Sequence, residues 1–140
     1  MLFITNVSYS EEYAPQIRAI RDEVFIQEQG IDPTLEFDGC DADALHALIT
    51  IDGQPVATGR LLNDGHIGRI AVLAAYRGQG VGAQVVRSLI KEAELQGYAR
   101  VYLGAQVHAV DFYRKLGFVS FGDEFVEAGI PHLAMEKNLK

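Results

Sequence analysis

Residues 70–89 read "IAVLAAYRGQGVGAQVVRSL", and this stretch narrows the possible folds more than any other. A short apolar run ends, "YRGQGVG" sets Gly78, Gly80 and Gly82 two apart behind Arg77, and an apolar helical pattern begins at once. A strand must therefore turn into a helix through nearly bare backbone. A helix N-terminus carries unpaired N–H groups and partial positive charge, so a glycine-rich approach admits an anion, most commonly a phosphate. Arg77 adds a cation at the mouth. One glycine would serve a plain turn; three suggest a pyrophosphate cradle. The Walker pattern needs Gly-Lys-Ser/Thr, and this stretch has no lysine. "GQGVGA" formally matches the dinucleotide fingerprint, but that fingerprint belongs to a βαβ unit whose next strand ends on an acidic residue. Here the next strand ends "LGAQ", which weakens the nucleotide reading.

The rest of the chain supplies the frame. "LFITNV" reads as a strand and "APQIRAIRDEVFIQEQ" as a helix with Ile17, Ile20, Val24 and Phe25 on one face. Residues 30–43 read as an acidic loop. "ALHALITID", "QPVATGRLLN" and "HIGRIAVL" read as an antiparallel meander with tight turns at "DGQ" and "NDG". After the cradle, a helix runs to about Gln96, capped by Gly97. "RVYLGA" follows as a strand parallel to the one before the cradle. "VHAVDFYRKL" reads as a short helix, and "FVSF" and "HLAMEK" as two last strands around the loop "GDEFVEAGIP". The sum is an α/β, or mixed α+β, sheet with helices on both faces, in a single domain over 1–140.

Composition excludes some classes. The 140 residues are 49% hydrophobic and 22% charged, ordinary for a globular domain. The formal net charge of −7 argues against nucleic acid as partner. No apolar run approaches membrane-spanning length and the start shows no signal peptide, so no membrane partner and a cytoplasmic location are expected. Cys40 is the single cysteine, no Cys/His zinc pattern occurs, and no metal is expected. Residues 1–46 hold ten Asp/Glu against two Arg, while the remainder is nearly balanced. This asymmetry is either a solvated acidic surface or a means of attracting a cationic substrate.

"RGQGVG" fits Q/R-x-x-G-x-G/A, the coenzyme A motif of the GNAT N-acetyltransferase superfamily, and "AQVHAVDFYRKLGF" resembles that family's second landmark, N-x-x-A-x-x-F-Y-x-x-x-G-F. "VFIQEQGI", "EFDGCDADALH" and "GIPHLAMEK" further resemble the ElaA-like (YjcF-like) group within it. The resemblance covers nearly the whole chain. It implies the GNAT acyl-CoA N-acyltransferase fold, a mostly antiparallel sheet with a central parallel pair splayed to admit coenzyme A. It implies acetyl-CoA as donor substrate and a primary amine as acceptor, attacked directly in a ternary complex. The acceptor would be a small molecule, cationic if the acidic half attracts it, with a protein lysine or N-terminus as the second choice.

The resemblance also implies residue roles. Backbone groups of Ile70, Ala71 and Val72 would pair with the pantetheine arm. Arg77, Gly78, Gln79, Gly80, Val81 and Gly82 would hold the pyrophosphate. Gln106 stands where the second motif has asparagine, one methylene longer, on the cofactor side. Tyr113 would stand near the sulfur and protonate the departing thiolate as general acid. A lysine-like amine is neutral at pH 7 in only about one molecule in 2,500, so a base is needed. The glutamate that many members carry on the strand before the cradle is absent, since that strand reads Gly68, Arg69, Ile70. Glu28 and His132 are the candidates for base or acceptor contact. His132 has the near-neutral titration range that suits a base, and a solvated Glu28 or a hydrogen-bonded structural His132 is the alternative. His46 and His108 read as structural, Arg69 as a contact to the acceptor or to an acidic neighbour, and Cys40 as inert. A non-catalytic coenzyme A-binding sensor or partner module is the competing function. The chain is expected to be a monomer or homodimer.

Overall fold

A computed structural model describes all 140 residues. Strand β1 (Leu2–Ser8) is followed by helix α1 (Ala14–Arg21), which has Pro15 in its first turn. A π-helical turn, Asp22–Glu28, continues the helix, and a four-residue helix α2 (Pro33–Glu36) stands inside the expected loop. Strands β2 (Leu45–Ile51), β3 (Gln54–Leu61) and β4 (Ile67–Val72) form the meander, joined to β1 in one antiparallel sheet of order β1-β2-β3-β4. Asp52 and Gly53 both have positive φ (51° and 81°) in the turn from β2 to β3, the primed turn that a two-residue hairpin favours.

Helix α3 (Val81–Leu95) leaves the cradle and ends at Gly97, φ 82°. The N–H groups of Gly97 and Tyr98 return to the carbonyls of Glu94 and Ala93, a Schellman closure. Strand β5 (Arg100–Gln106), a 3₁₀ turn (Val107–Ala109) and helix α4 (Val110–Lys115) follow. Strands β6 (Val119–Ser120), β7 (Phe125–Glu127) and β8 (Ile130–Asn138) complete a second antiparallel sheet in which β8 pairs with β5, β6 and β7. No helix is long and apolar enough to cross a membrane.

The two sheets meet at β4 and β5, which are parallel and joined by one bridge, His66 to Tyr102, at their starts. Beyond that bridge the strands do not pair, so the sheet opens toward their C-terminal ends. Ladder hydrogen bonds are lost there, and backbone is left free to pair with something else.

Two apolar layers hold the opening in place. Val81, Val85, Val86, Leu89, Ile90 and Ala93 of α3 pack on one face of the sheets, on Ala47, Ile49, Val101, Leu103 and Ala105 among others. On the other face Ile17, Ile20, Val24 and Phe25 pack on Val7, Leu48 and Ala71. Alternation along β5 therefore turns Val101, Leu103 and Ala105 toward α3 and leaves Tyr102, Gly104 and Gln106 on the α1 side.

Three local features depart from the sequence reading. The first helix widens into a π turn after Arg21, and that turn brings Glu28 and Gln29 to the mouth of the opening. The loop "GDEFVEAGIP" contains β7, paired Phe125 to His132 and Glu127 to Ile130. Its two-residue turn has Ala128 and Gly129 at φ 52° and 76°, and lacks the Asn or Asp that signals such a turn. Consequently β8 starts at Ile130, and His132 lies within the strand rather than at its first residue.

Candidate active site

A cavity of about 740 Å³ fills the opening between β4 and β5. It is lined by Ile70, Val72, Arg77, Gly78, Gly80, Val81 and Gly82 on the cradle side, and by Gln106, His108 and Tyr113 beyond β5. Glu28, Gln29, His66, Arg69, Glu127 and His132 line it as well. Ala71 does not reach it with its side chain, which is buried against α1, and Gln79 turns outward, its Nε2 donating to the Ala75 carbonyl at 3.5 Å.

The three glycines answer to different constraints. Gly78 and Gly80 have φ of 77° and 79°, the left-handed region that L side chains avoid, and open space lies where a Cβ would point. Gly82 has no positive φ, and a Cβ there would meet Phe112 and Val72 at 3.5 Å, ordinary contact. The N–H groups of Gly78, Gln79 and Gly80 donate to no backbone carbonyl. No side chain caps the N-terminus of α3. A row of unpaired donors thus runs into the first turn of a fifteen-residue helix, which is what an anion requires.

Arg77 does not extend freely over this row. Its Nη1 and Nη2 donate to the Glu28 carboxylate at 2.5 and 2.7 Å, and its Nε donates to the Val72 carbonyl at 2.9 Å. The hydrogen bond from Arg77 lowers the Glu28 pKa, so this carboxylate is a weaker base than an ordinary glutamate. Gln106 likewise reaches across the opening, donating from Nε2 to Gln29 Oε1 at 3.0 Å.

Tyr113 packs edge-on against Phe112 and Phe118, with ring centroids 5.0 and 5.9 Å away. Burial pushes its hydroxyl up to about 12, which keeps the proton on oxygen. His132 is 8% exposed, and its ring stacks on Phe125. Its Nδ1 lies 2.6 Å from the Ile130 carbonyl. A carbonyl only accepts, so the proton sits on Nδ1 and the Nε2 lone pair is left free.

Arg69 sits at a bulge. Thr58 pairs with Ala71 and Arg60 with Gly68, so Gly59 opposes both Arg69 and Ile70. Arg69 itself has φ 52° and donates to the Leu35 and Glu36 carbonyls and to Asp38 at 3.1–3.2 Å. It belongs to a buried network in which Arg21 holds Glu36 and Asp41, and Arg60 holds Asp38 and Asp41. Three guanidinium groups therefore neutralise three carboxylates of the acidic N-terminal third. Burial would raise the Asp38 carboxyl, but the bonds from Arg60 and the Cys40 N–H outweigh it and hold the group well below the usual range. His46 is buried outside the cavity, with Nε2 3.0 Å from the Asp41 carbonyl, and Cys40 is exposed. The sequence reading had not singled out His66, Gln29 or Glu127, all of which line the cavity.

The Acetyltransferase (GNAT) domain model matches residues 9–139. The chain is 35% identical over 136 residues to the uncharacterized N-acetyltransferase YjcF of Bacillus subtilis (strain 168), covering 94% of this chain and 97% of that one. It is 33% identical over 144 residues to protein ElaA of Escherichia coli (strain K12), covering 96% and 92%. The crystal structure of Escherichia coli ElaA superposes with a TM-score of 0.88 over 99% of this chain and all of that one, at 30% identity. An acyl-CoA N-acyltransferase from Pseudomonas aeruginosa superposes with a TM-score of 0.87 at 34% identity, over 98% and 99% of the two chains. An aminoglycoside 6'-N-acetyltransferase complexed with coenzyme A shares the fold, with a TM-score of 0.77 at 15% identity over 97% and 96%. With a family model spanning nearly its whole length and relatives matched end to end, the chain belongs to the GNAT acetyltransferase family.

Proposed function

We propose that this chain moves an acetyl group from acetyl-CoA to a primary amine by direct attack in a ternary complex. The observation that carries the reading is the opening between β4 and β5, with unpaired cradle donors on one side and Tyr113 and His132 on its walls. The cradle from Arg77 to Gly82 would hold the pyrophosphate, and the β5-facing backbone of Ile70 to Val72, where the Val72 carbonyl accepts from Arg77 Nε, would receive the pantetheine arm. Among proteins of this fold, the aminoglycoside acetyltransferase holds coenzyme A.

The amine lone pair forms the new C–N bond at the thioester carbonyl as the C–S bond breaks. His132 takes the amine proton on Nε2, the nitrogen its Nδ1 bond leaves free. Tyr113 donates its proton toward the leaving sulfur. A full transfer from a phenol near 12 to a thiolate near 8.5 costs about 5 kcal/mol, so the hydroxyl acts first as a hydrogen-bond donor to developing charge. Glu28, held by Arg77, contributes to the acceptor side through position rather than basicity.

Two measurements test this. Coenzyme A at about 100 times its Kd should stabilise the fold by about 2.7 kcal/mol, and NAD or ATP should not. Release of free thiol from acetyl-CoA should depend on added amine, and its acidic pH limb should disappear in His132→Gln. A melting temperature unmoved by saturating coenzyme A would remove the cofactor assignment and the reaction with it.

A further inference from the structure

The charged side chains around the cavity do not balance. Glu28 pairs with Arg77, and Glu36 and Arg69 are held within the buried network. Glu127 alone, of the charged residues lining the cavity, has neither an ion pair nor a side-chain hydrogen bond. We propose that Glu127 holds a second amino group of the acceptor in its protonated, ammonium form, so that the preferred substrate is a short diamine.

The placement rests on the β7–β8 hairpin. Phe125 and Glu127 lie two residues apart on one face of β7. The Phe125 ring stacks on His132, directly across the strand pair, with centroids 5.6 Å apart. Glu127 is therefore one pair further along the same face, about 7 Å from the His132–Phe125 pair at the rise of a strand. The reacting nitrogen must be neutral when it attacks, and it is served by His132. The exposed Glu127 carboxylate at the cavity wall has no charge to meet on that nitrogen at the moment of reaction, but it does match an ammonium a few methylenes away. Ile130, opposite Glu127, and Leu35 are apolar and line the same cavity, so they offer contact to the intervening methylenes. The sequence reading made this segment a loop; the hairpin makes it a wall of the cavity.

This inference rests on the acetyltransferase reading and deepens it. The test compares 1,4-diaminobutane, 1-aminobutane and 4-aminobutanoate as acceptors with acetyl-CoA, in the unaltered protein, in Glu127→Gln and in Glu124→Gln. The last removes the same charge from an exposed neighbour that does not line the cavity. The expected kcat/KM for the diamine exceeds that for the monoamine at least tenfold, with the amino acid poorest. Glu127→Gln should reduce that ratio about tenfold through the KM of the diamine, and Glu124→Gln should leave the ratio as it is. Monoamine and diamine used equally well would overturn the second-cation site and leave acetyl transfer standing. A Glu127→Gln loss confined to kcat, with a displaced pH limb, would make Glu127 a proton acceptor and also overturn it. Absence of turnover with all three amines, in protein that coenzyme A stabilises, would reject the diamine class outright.

Discussion

The guanidinium of Arg77 grips the carboxylate of Glu28 through two parallel hydrogen bonds of 2.5 and 2.7 Å, tying the cradle to the π turn 49 residues earlier. Both side chains are about two-fifths exposed. Solvent screens such a pair, so it adds little to stability despite its geometry. A double-mutant cycle with Glu28→Gln and Arg77→Gln, read by urea denaturation, should give a coupling of about 1 kcal/mol or less. Because Arg77 depresses the Glu28 pKa, removing this carboxylate should leave the acidic limb of the rate profile in place. A limb that vanished in Glu28→Gln would return the base role to Glu28.

The cradle glycines should separate conformation from access. Gly80→Ala forces an L side chain to φ 79°, a strain of about 1 kcal/mol. Gly82→Ala has no such strain and meets only ordinary contacts, so its melting temperature should change little. Both put a methyl group beside the donor row, and both should weaken coenzyme A binding, measured by calorimetry. Equal destabilisation by the two substitutions would contradict the backbone argument.

Much of this site was legible because glycine and aromatic spacing carry their own physics. The helix starting at Val81 follows from a strand-to-helix turn with bare backbone, whereas the left-handed φ of Gly78 and Gly80 is a separate reason for glycine that the sequence reading had not drawn. The meander and the cap at Gly97 follow from apolar patterning and turn residues. Tyr113 was legible only through its motif, since a helix tyrosine is otherwise a core residue. The Glu28–Arg77 pair was not legible, because no local rule joins residues so far apart. Nor was the π turn, where one widened turn changes which residues face the opening. Strand β7 was missed because three exposed residues, Phe125 to Glu127, show no burial pattern, and Glu127 was missed with it. The acidic third suggested a field for cationic substrates, whereas Arg21, Arg60 and Arg69 cancel three of its charges inside the fold.

Tyr113→Phe removes a hydroxyl and leaves the ring. The edge-on contacts with Phe112 and Phe118 remain, so the fold should be retained and coenzyme A should still bind. Positioned acids contribute about 10²–10⁴-fold. The expected loss is in kcat, by about 10²-fold, with the KM for acetyl-CoA little changed. An unaltered kcat would assign protonation of the leaving sulfur to solvent.

Gly59→Ala tests how closely α3 packs on the bulge in β4. A Cβ at Gly59 would stand 2.6 Å from Val85 Cγ1 and 2.7 Å from Ile70 Cδ1, far inside contact distance. Overpacking of this kind costs about 1–3 kcal/mol. The melting temperature should fall by several degrees. Ile70 is also on the strand that would receive the pantetheine arm, so the KM for acetyl-CoA should rise. Pairing the substitution with Val85→Ala should recover part of the stability, and no recovery would show that the strain lies elsewhere.

Stability should fall on the acid side in two stages. Burial lowers the pKa of His46, and the neutral ring donates from Nε2 to the Asp41 carbonyl. A group depressed in the folded state stabilises above its unfolded pKa, about 6.5 for histidine, and that contribution is lost as pH falls below it. His66 is lowered in the same direction, again chiefly by burial. Asp38 is depressed too, so its contribution holds above the unfolded value of about 3.9 and is lost in stronger acid. Glu36 works the other way: burial raises it, and its contribution is present in acid and lost as pH rises. Melting temperature should therefore decline below about 6.5, with Glu36 opposing part of that decline, and decline again below about 4. His46→Gln keeps a donor for the Asp41 carbonyl without a titrating ring, and should shrink the first decline while leaving the second. A first decline of unchanged size in that variant would assign it to His66 alone.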